Sequence, residues 1–110
     1  MNDEQLIAAF HALWDAFPGA ARLINRKHEI LAANRAAQDK GFLPGLICAK
    51  VGTPESHRNC LFAKTLRTKQ GQYDLSGEHL LRGWLPVSGR DDVVVHFSLL
   101  LPPPSEESEA

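Results

Sequence analysis

Apolar residues near the start of the chain recur at intervals of three and four: Leu6, Ile7, Phe10, Leu13, Trp14 and Phe17. That spacing predicts an amphipathic helix with one apolar stripe. Asn2 or Asp3 can cap it, because a short side-chain oxygen accepts from the unpaired amides of a first turn. Pro18-Gly19 ends it, since proline breaks the hydrogen-bond ladder and glycine accepts the exit conformation. Two short apolar runs follow, Ala20 to Ile24 and Glu29 to Ala33, separated by the polar stretch Asn25-Arg26-Lys27-His28, and this pattern predicts a hairpin. Asn34 is placed to cap a short helix over Arg35 to Asp39, closed by Gly41. From Leu43 to Asn59 the prolines and glycines predict turns and short helical pieces. Cys60 to Gln70 predicts a helix with Leu61, Phe62 and Leu66 on one side and Lys64, Arg67 and Lys69 in water.

The last third alternates instead. Gln72 to Leu75 and His79 to Val87 predict strands, and Ser88-Gly89-Arg90-Asp91 predicts a turn. In the final strand, Val93 to Leu101, the odd positions Val93, Val95, Phe97, Leu99 and Leu101 are all apolar. Pro86 requires a place near a strand end or where its missing amide faces no partner. The order is helix, two strands, short helices, three strands. It predicts an α+β domain: a five-stranded antiparallel sheet, with short helices inserted between the second and third strands on one face and the N-terminal helix on the other. Residues 1–18 form the leader helix, 19–101 the core, and 102–110 a proline- and glutamate-rich tail or linker.

Composition narrows the function classes. A chain of 110 residues fits one domain. Its 12 Lys and Arg against 13 Asp and Glu are interspersed, so no basic stripe tracks phosphates and nucleic acid is not expected as a partner. No apolar run has the length of a membrane span, and the polar Met1 to Gln5 does not match a secretory signal, so a cytoplasmic location is expected. Two cysteines, Cys48 and Cys60, are too few for a disulfide scaffold and are expected as thiols there. No nucleophile–base pair, carboxylate pair or phosphate loop stands out, and Asp91-Asp92 falls in a turn, so no catalytic activity is expected.

The stretches Leu13-Trp14-Asp15-Ala16-Phe17-Pro18-Gly19-Ala20, Ile24 to Ala37 with its Asn34-Arg35-Ala36-Ala37 helix opening, and Leu85-Pro86-Val87 with the final strand resemble, in order and spacing, the PAS domains of sensory proteins. The resemblance spans nearly the whole domain. It implies a sensory or signalling input domain that binds a small ligand or a partner and forms a homodimer. Such domains feed a kinase, cyclase or transcription-regulator output module. The middle, Gly45-Leu46-Ile47-Cys48 and then Asn59-Cys60-Leu61-Phe62-Ala63, is similar to a cysteine-containing subgroup of bacterial sensor PAS domains. That subgroup carries a Pro-Cys-x-x-Cys-Pro box; here Ala63 replaces the second cysteine, and Asn59 and Lys64 the prolines, so its redox or metal role does not carry over directly. Arg58-Asn59-Cys60-Leu61-Phe62 also resembles the flavin-binding LOV box, but Leu61 replaces its arginine and the interval to Gly71 is too short for the extra LOV helix.

The candidate ligand pocket lies between the central helices and the inner sheet face, with Leu23, Leu31, Phe42, Leu46, Leu66, Trp84, Val95 and Phe97 as lining residues. These are large enough to fill the space themselves, and a packed core is the expectation. The candidate dimer interface is the leader stripe Leu6, Ile7, Phe10, Leu13, Trp14 and Phe17, which also has to cover the sheet. Cys48, His57 and Cys60 are the soft-ligand cluster, lacking a fourth member; their other readings are small buried thiols or a Cys48–Cys60 disulfide. A thiol or metal sensor and a ligand-free dimerisation adaptor are therefore the alternative functions. His79 and His96 fall in strands, where the usual position is exposed. No cofactor is expected: no axial histidine lies on the Cys60–Gln70 helix for haem, and flavin and zinc lack their full residue sets.

Overall fold

Asn2 opens the first helix, α1 (Asp3–Trp14). Its Oδ1 accepts from the Gln5 amide at 2.8 Å while the Gln5 side chain accepts from the Asn2 amide at 3.0 Å. This reciprocal box satisfies two of the orphan donors of the first turn. The helix stops at Trp14, earlier than Pro18-Gly19 suggested, because the chain turns there: the Phe17 amide donates to the Trp14 carbonyl. Phe17 thus packs from a turn beside the helix. The computed structural model describes residues 1–48 and 60–102, so His57 and most of the tail lie outside the described residues.

Strands β1 (Ala20–Asn25) and β2 (Ile30–Ala33) form the expected hairpin. Its turn is held by Asn25, whose Oδ1 accepts from the amides of Lys27 at 2.9 Å and Glu29 at 3.0 Å. His28 occupies the left-handed region at φ 65°, a conformation that a non-glycine residue adopts only when its surroundings hold it there. Two short helices follow, α2 (Arg35–Asp39) and α3 (Phe62–Thr68). Helix α3 is shorter than the periodicity predicted, and Leu61 at its N-cap has no side-chain oxygen to extend the turn. Then come β3 (Gln72–Ser76), β4 (Leu80–Val87) and β5 (Arg90–Leu100). The β4–β5 turn reduces to Ser88-Gly89, with Gly89 at φ 85°, so Asp91 and Asp92 belong to the strand.

The sheet order is β2-β1-β5-β4-β3, with every neighbouring pair antiparallel. Two irregularities place unusual residues. Leu23 pairs with Ala32 and Ile24 with Ile30, which leaves Leu31 as the extra residue of a bulge. Pro86 sits at a second register shift near the end of β4, where a missing amide costs least.

Each sheet face has its own core. Leu6 and Phe10 of α1 pack on Ala21, Leu23, Ala32, Val93 and Val95, with Ile7, Trp14, Phe17, Leu31, Leu85, Val87 and Phe97 around them. On the other face Ala20, Ile24, Ile30, Ala33, Trp84 and Val94 meet Ala37, Cys48 and Phe62. Each fully buried side chain of this size is worth ~1.5–3 kcal/mol. Gly83 is required on the α1 face, because a Cβ there would fall inside the ring of Phe97, its cross-strand neighbour. Among the described residues no helix is long and apolar enough to cross a membrane.

Candidate functional site

The period of a strand sends alternate residues to opposite faces, and this divides the predicted pocket in two. Leu23, Leu31, Val95 and Phe97 belong to the α1 face and cannot line a cavity under the central helices. Trp84, Phe42 and Leu66 do lie on the inner face, while Leu46 is largely exposed. The even positions of β5 carry the inner surface, so Val94 and His96 are buried there, contrary to the exposed position expected for His96. His79 has the more open setting, near Glu78.

The inner face is packed around Trp84, with a small pocket at one edge. A cavity of about 160 Å³ is lined by Ile24, His28, Cys48, Cys60, Phe62, Trp84 and His96. Trp84, fully buried, stacks on His96 with ring centres 4.5 Å apart and planes 8° from parallel. His96 Nδ1 lies 2.8 Å from the Gly83 carbonyl, to which it donates. The left-handed turn swings the His28 ring to 4.4 Å from Phe62, closing the cavity on that side. The Cys48 amide donates to the His28 carbonyl at 2.7 Å, tying the residue after the loop to the same turn.

Arg22 contacts Cys48, a lining residue, without lining the pocket itself. It points to the inner face between Ala20 and Ile24, pairs across the sheet with His96, and is buried. Its guanidinium lies 3.7 Å above the Phe42 ring and interacts with the Cys48 thiol. Burial pulls the guanidinium below its usual pKa, with the thiol partly offsetting that shift, and burial likewise pushes Cys48 up. The other inner-face arginine is differently served: Arg82 makes two bonds to the Asp74 carboxylate, at 2.8 and 2.6 Å. The sequence reading missed Arg22, His28 and Arg82. The available signal was a lone arginine in the apolar run Ala20-Ala21-Arg22-Leu23-Ile24, which is buried on both faces.

Of the soft-ligand cluster, Cys48 and Cys60 both line the cavity as free thiols, one buried and one exposed, while His57 lies outside the described residues. Among the described residues no three His, Cys, Asp or Glu side chains group as a metal site. The leader stripe divides as well. Leu6 and Phe10 are spent on the domain's own sheet and are not available to a partner. Leu13 is 77% exposed, with half-buried Trp14 and Phe17 beside it; these two rings and Phe97 form an aromatic trio with centres 5.1–5.8 Å apart.

One residue joins the two layers. The fully buried Asn34 accepts at Oδ1 from the amides of Ala21 (3.0 Å) and Ala37 (3.1 Å). Its Nδ2 donates to the carbonyls of Trp14 (3.1 Å) and Gly19 (3.0 Å). The end of α1, the start of β1 and the start of α2 thus meet on a single amide.

No protein-family model and no curated protein matches the sequence. Solved structures do. A sensory box sensor histidine kinase from Vibrio cholerae superposes with a TM-score of 0.66 at 12% identity, over 90% of this chain and 92% of that one. The PAS domain of BvgS from Bordetella pertussis superposes at 0.57 with 18% identity, over 96% of this chain and 92% of the other. At such identities the likeness speaks for architecture, and the strand order, the inserted helices and the leader on the reverse face all agree with it: the chain has the fold of a PAS domain.

Proposed function

We propose that this chain is a sensory input domain whose ligand site is the inner-face cavity, with occupancy altering how the domain engages an output module such as a kinase. The observation that carries this reading is the unfilled space of about 160 Å³ between sheet and helices, walled by aromatic, imidazole and thiol side chains. Similarity to a sensory box sensor histidine kinase and to the PAS domain of BvgS supports it at the level of fold. Asn34 offers a route outward, since it bonds the end of α1 and the first turn of α2 together, so a shift on the inner side changes the leader's anchorage. Homodimerisation through Leu13, Trp14 and Phe17 completes the proposal, supported by the apolar surface these residues leave open.

Native mass spectrometry of the purified chain tests the ligand site. A stoichiometric small-molecule adduct, released on denaturation, is expected; an empty chain whose melting temperature no compound in a metabolite-sized panel raises would count against it. Sedimentation velocity tests the dimer, which Leu13→Glu is expected to dissociate. A second reading, a thiol sensor, is supported by Cys48 and Cys60 lining one cavity as free thiols. Intact mass after peroxide and then after reductant separates it: peroxide takes two protons and two electrons as the S–S bond forms, so a loss of two hydrogen atoms that reductant reverses is its signature.

A further inference from the structure

The leader covers only part of its side of the sheet. Helix α1 lies along β1 and β2, and at its end Trp14 stacks on Phe97 of β5. The strand register carries that face outward to the sheet edge: Phe97 pairs with Gly83, and Gly83 with Tyr73. The next row on the same side is Leu99, Leu81 and Leu75. No charged side chain stands in either row. Tyr73 and Leu75 are 77% and 56% exposed at this edge, and Leu13 is as open at the end of α1. With the half-buried side chains between them, these three leave on the order of 600 Å² of apolar surface, at ~200 Å² for a whole large side chain. The largest open patch of a monomer is ~300–600 Å², and a stable dimer buries ~800 Å² per partner, so this surface is of dimer size.

We infer that the bare half of the sheet seats the leader of a second copy: Leu13 of each protomer packs on the Tyr73 and Leu75 side of its partner, about a two-fold axis. The inference rests on the homodimer proposed above and adds the surface that Leu13 meets. Shape carries it. A helix packed on a sheet stands about 10 Å above the strands, so α1 and the bare strands beside it form a step. Two copies of one step interlock when turned by 180°, the high side of each resting on the low side of the other. Two leaders meeting head-on would instead hold both bare half-sheets apart and leave them wet. Charge agrees with the interlocked arrangement. A two-fold contact sets a surface against its own copy, and rows without charged side chains meet no like-charge repulsion there. Leu100 supplies the contrast: it is 74% exposed on the same strand as Leu99 but points to the opposite face, outside this surface.

Sedimentation velocity of the full chain over a concentration series reads the association. Leu13→Glu and Leu75→Lys are each expected to raise the dimer Kd at least tenfold, and Leu100→Lys to leave it unchanged. All three side chains are exposed, so circular dichroism and melting should match the parent. Mixing the two defective chains separates the arrangements. In a mixed dimer of a Leu13→Glu chain with a Leu75→Lys chain, the new acid meets the new base on one side of the axis, and native Leu13 meets native Leu75 on the other. The mixture is expected to dimerise at least tenfold more tightly than either variant alone. A Leu75→Lys chain that dimerises like the parent, or a mixture no tighter than its components, would overturn the inference and leave a leader-to-leader contact. A parent that stays monomeric at hundreds of micromolar would remove the dimer altogether, while the ligand reading keeps its own adduct test.

Discussion

The two faces of one sheet are built to different rules. Under α1, apolar side chains make the packing: Leu6 and Phe10 seat on Leu23, Val93 and Val95, and the aromatic trio of Trp14, Phe17 and Phe97 seals one end. Under the short helices, the same strands present Arg22, Arg82 and His96 from inside the fold, and a small cavity lies beside His96. Burying polar groups is costly unless each is partnered, so the inner face is the poorer choice for stability alone. The difference teaches where to look for function. Both faces hold the domain together, and the inner one also carries buried polar side chains that packing alone does not require.

The largest break in this contrast is expected on the dry side. Phe10→Ala removes a buried ring from the α1 face and should cost about 3–5 kcal/mol, read as a lower denaturation midpoint, because the helix and sheet can close only part of the gap. An effect below about 1 kcal/mol would mean that α1 docks loosely. Asn34→Ala comes next. It deletes two acceptor and two donor contacts at the junction of the layers, and a loss of about 2–4 kcal/mol is expected. Hydrogen exchange should rise at both α1 and α2; a rise confined to α2 would reduce Asn34 to a helix cap.

Arg22→Met sharpens the comparison with the opposite sign. It replaces a buried cation by an apolar chain of similar length, and stability is expected to hold or to increase by about 1–2 kcal/mol. A clear loss would show that the guanidinium serves the core itself. The smallest effect is a pH slope. Burial raises the Cys48 pKa, so above about 9 the folded chain still holds a proton that the unfolded chain has released. The folded state then binds more protons, and stability falls as pH rises from there. Denaturation midpoints from neutral pH to about 10 should decline more steeply in the parent than in Cys48→Ala. Equal slopes would leave Cys48 without a role in the titration.

Much of this fold was legible in the residues because its signals are local. The three- and four-residue apolar spacing of α1, the Asn25 turn, the Asn34 cap and the Ser88-Gly89 turn each act within a few positions, and each produced its element. The pocket was not legible to the same degree. Leu23, Leu31, Val95 and Phe97 are apolar and central, as pocket residues are, but apolarity does not say which side of a strand a residue faces once both sides are buried. Phe10 and Leu6 were likewise grouped with Leu13 as one stripe, although only part of it is left open after α1 docks.

What the sequence determined alone was the succession of elements and their antiparallel, interrupted-sheet order, since backbone periodicity and turn chemistry are properties of neighbouring residues. Only the tertiary structure decided which face each strand residue serves. It joined Arg22 to Cys48 and Phe42, laid Trp84 on His96, and left a small cavity lined by Cys48, Trp84 and His96. The reason is geometric: a strand offers both faces equally, and the side on which α1 closes is fixed only when the distant helices have packed against the other.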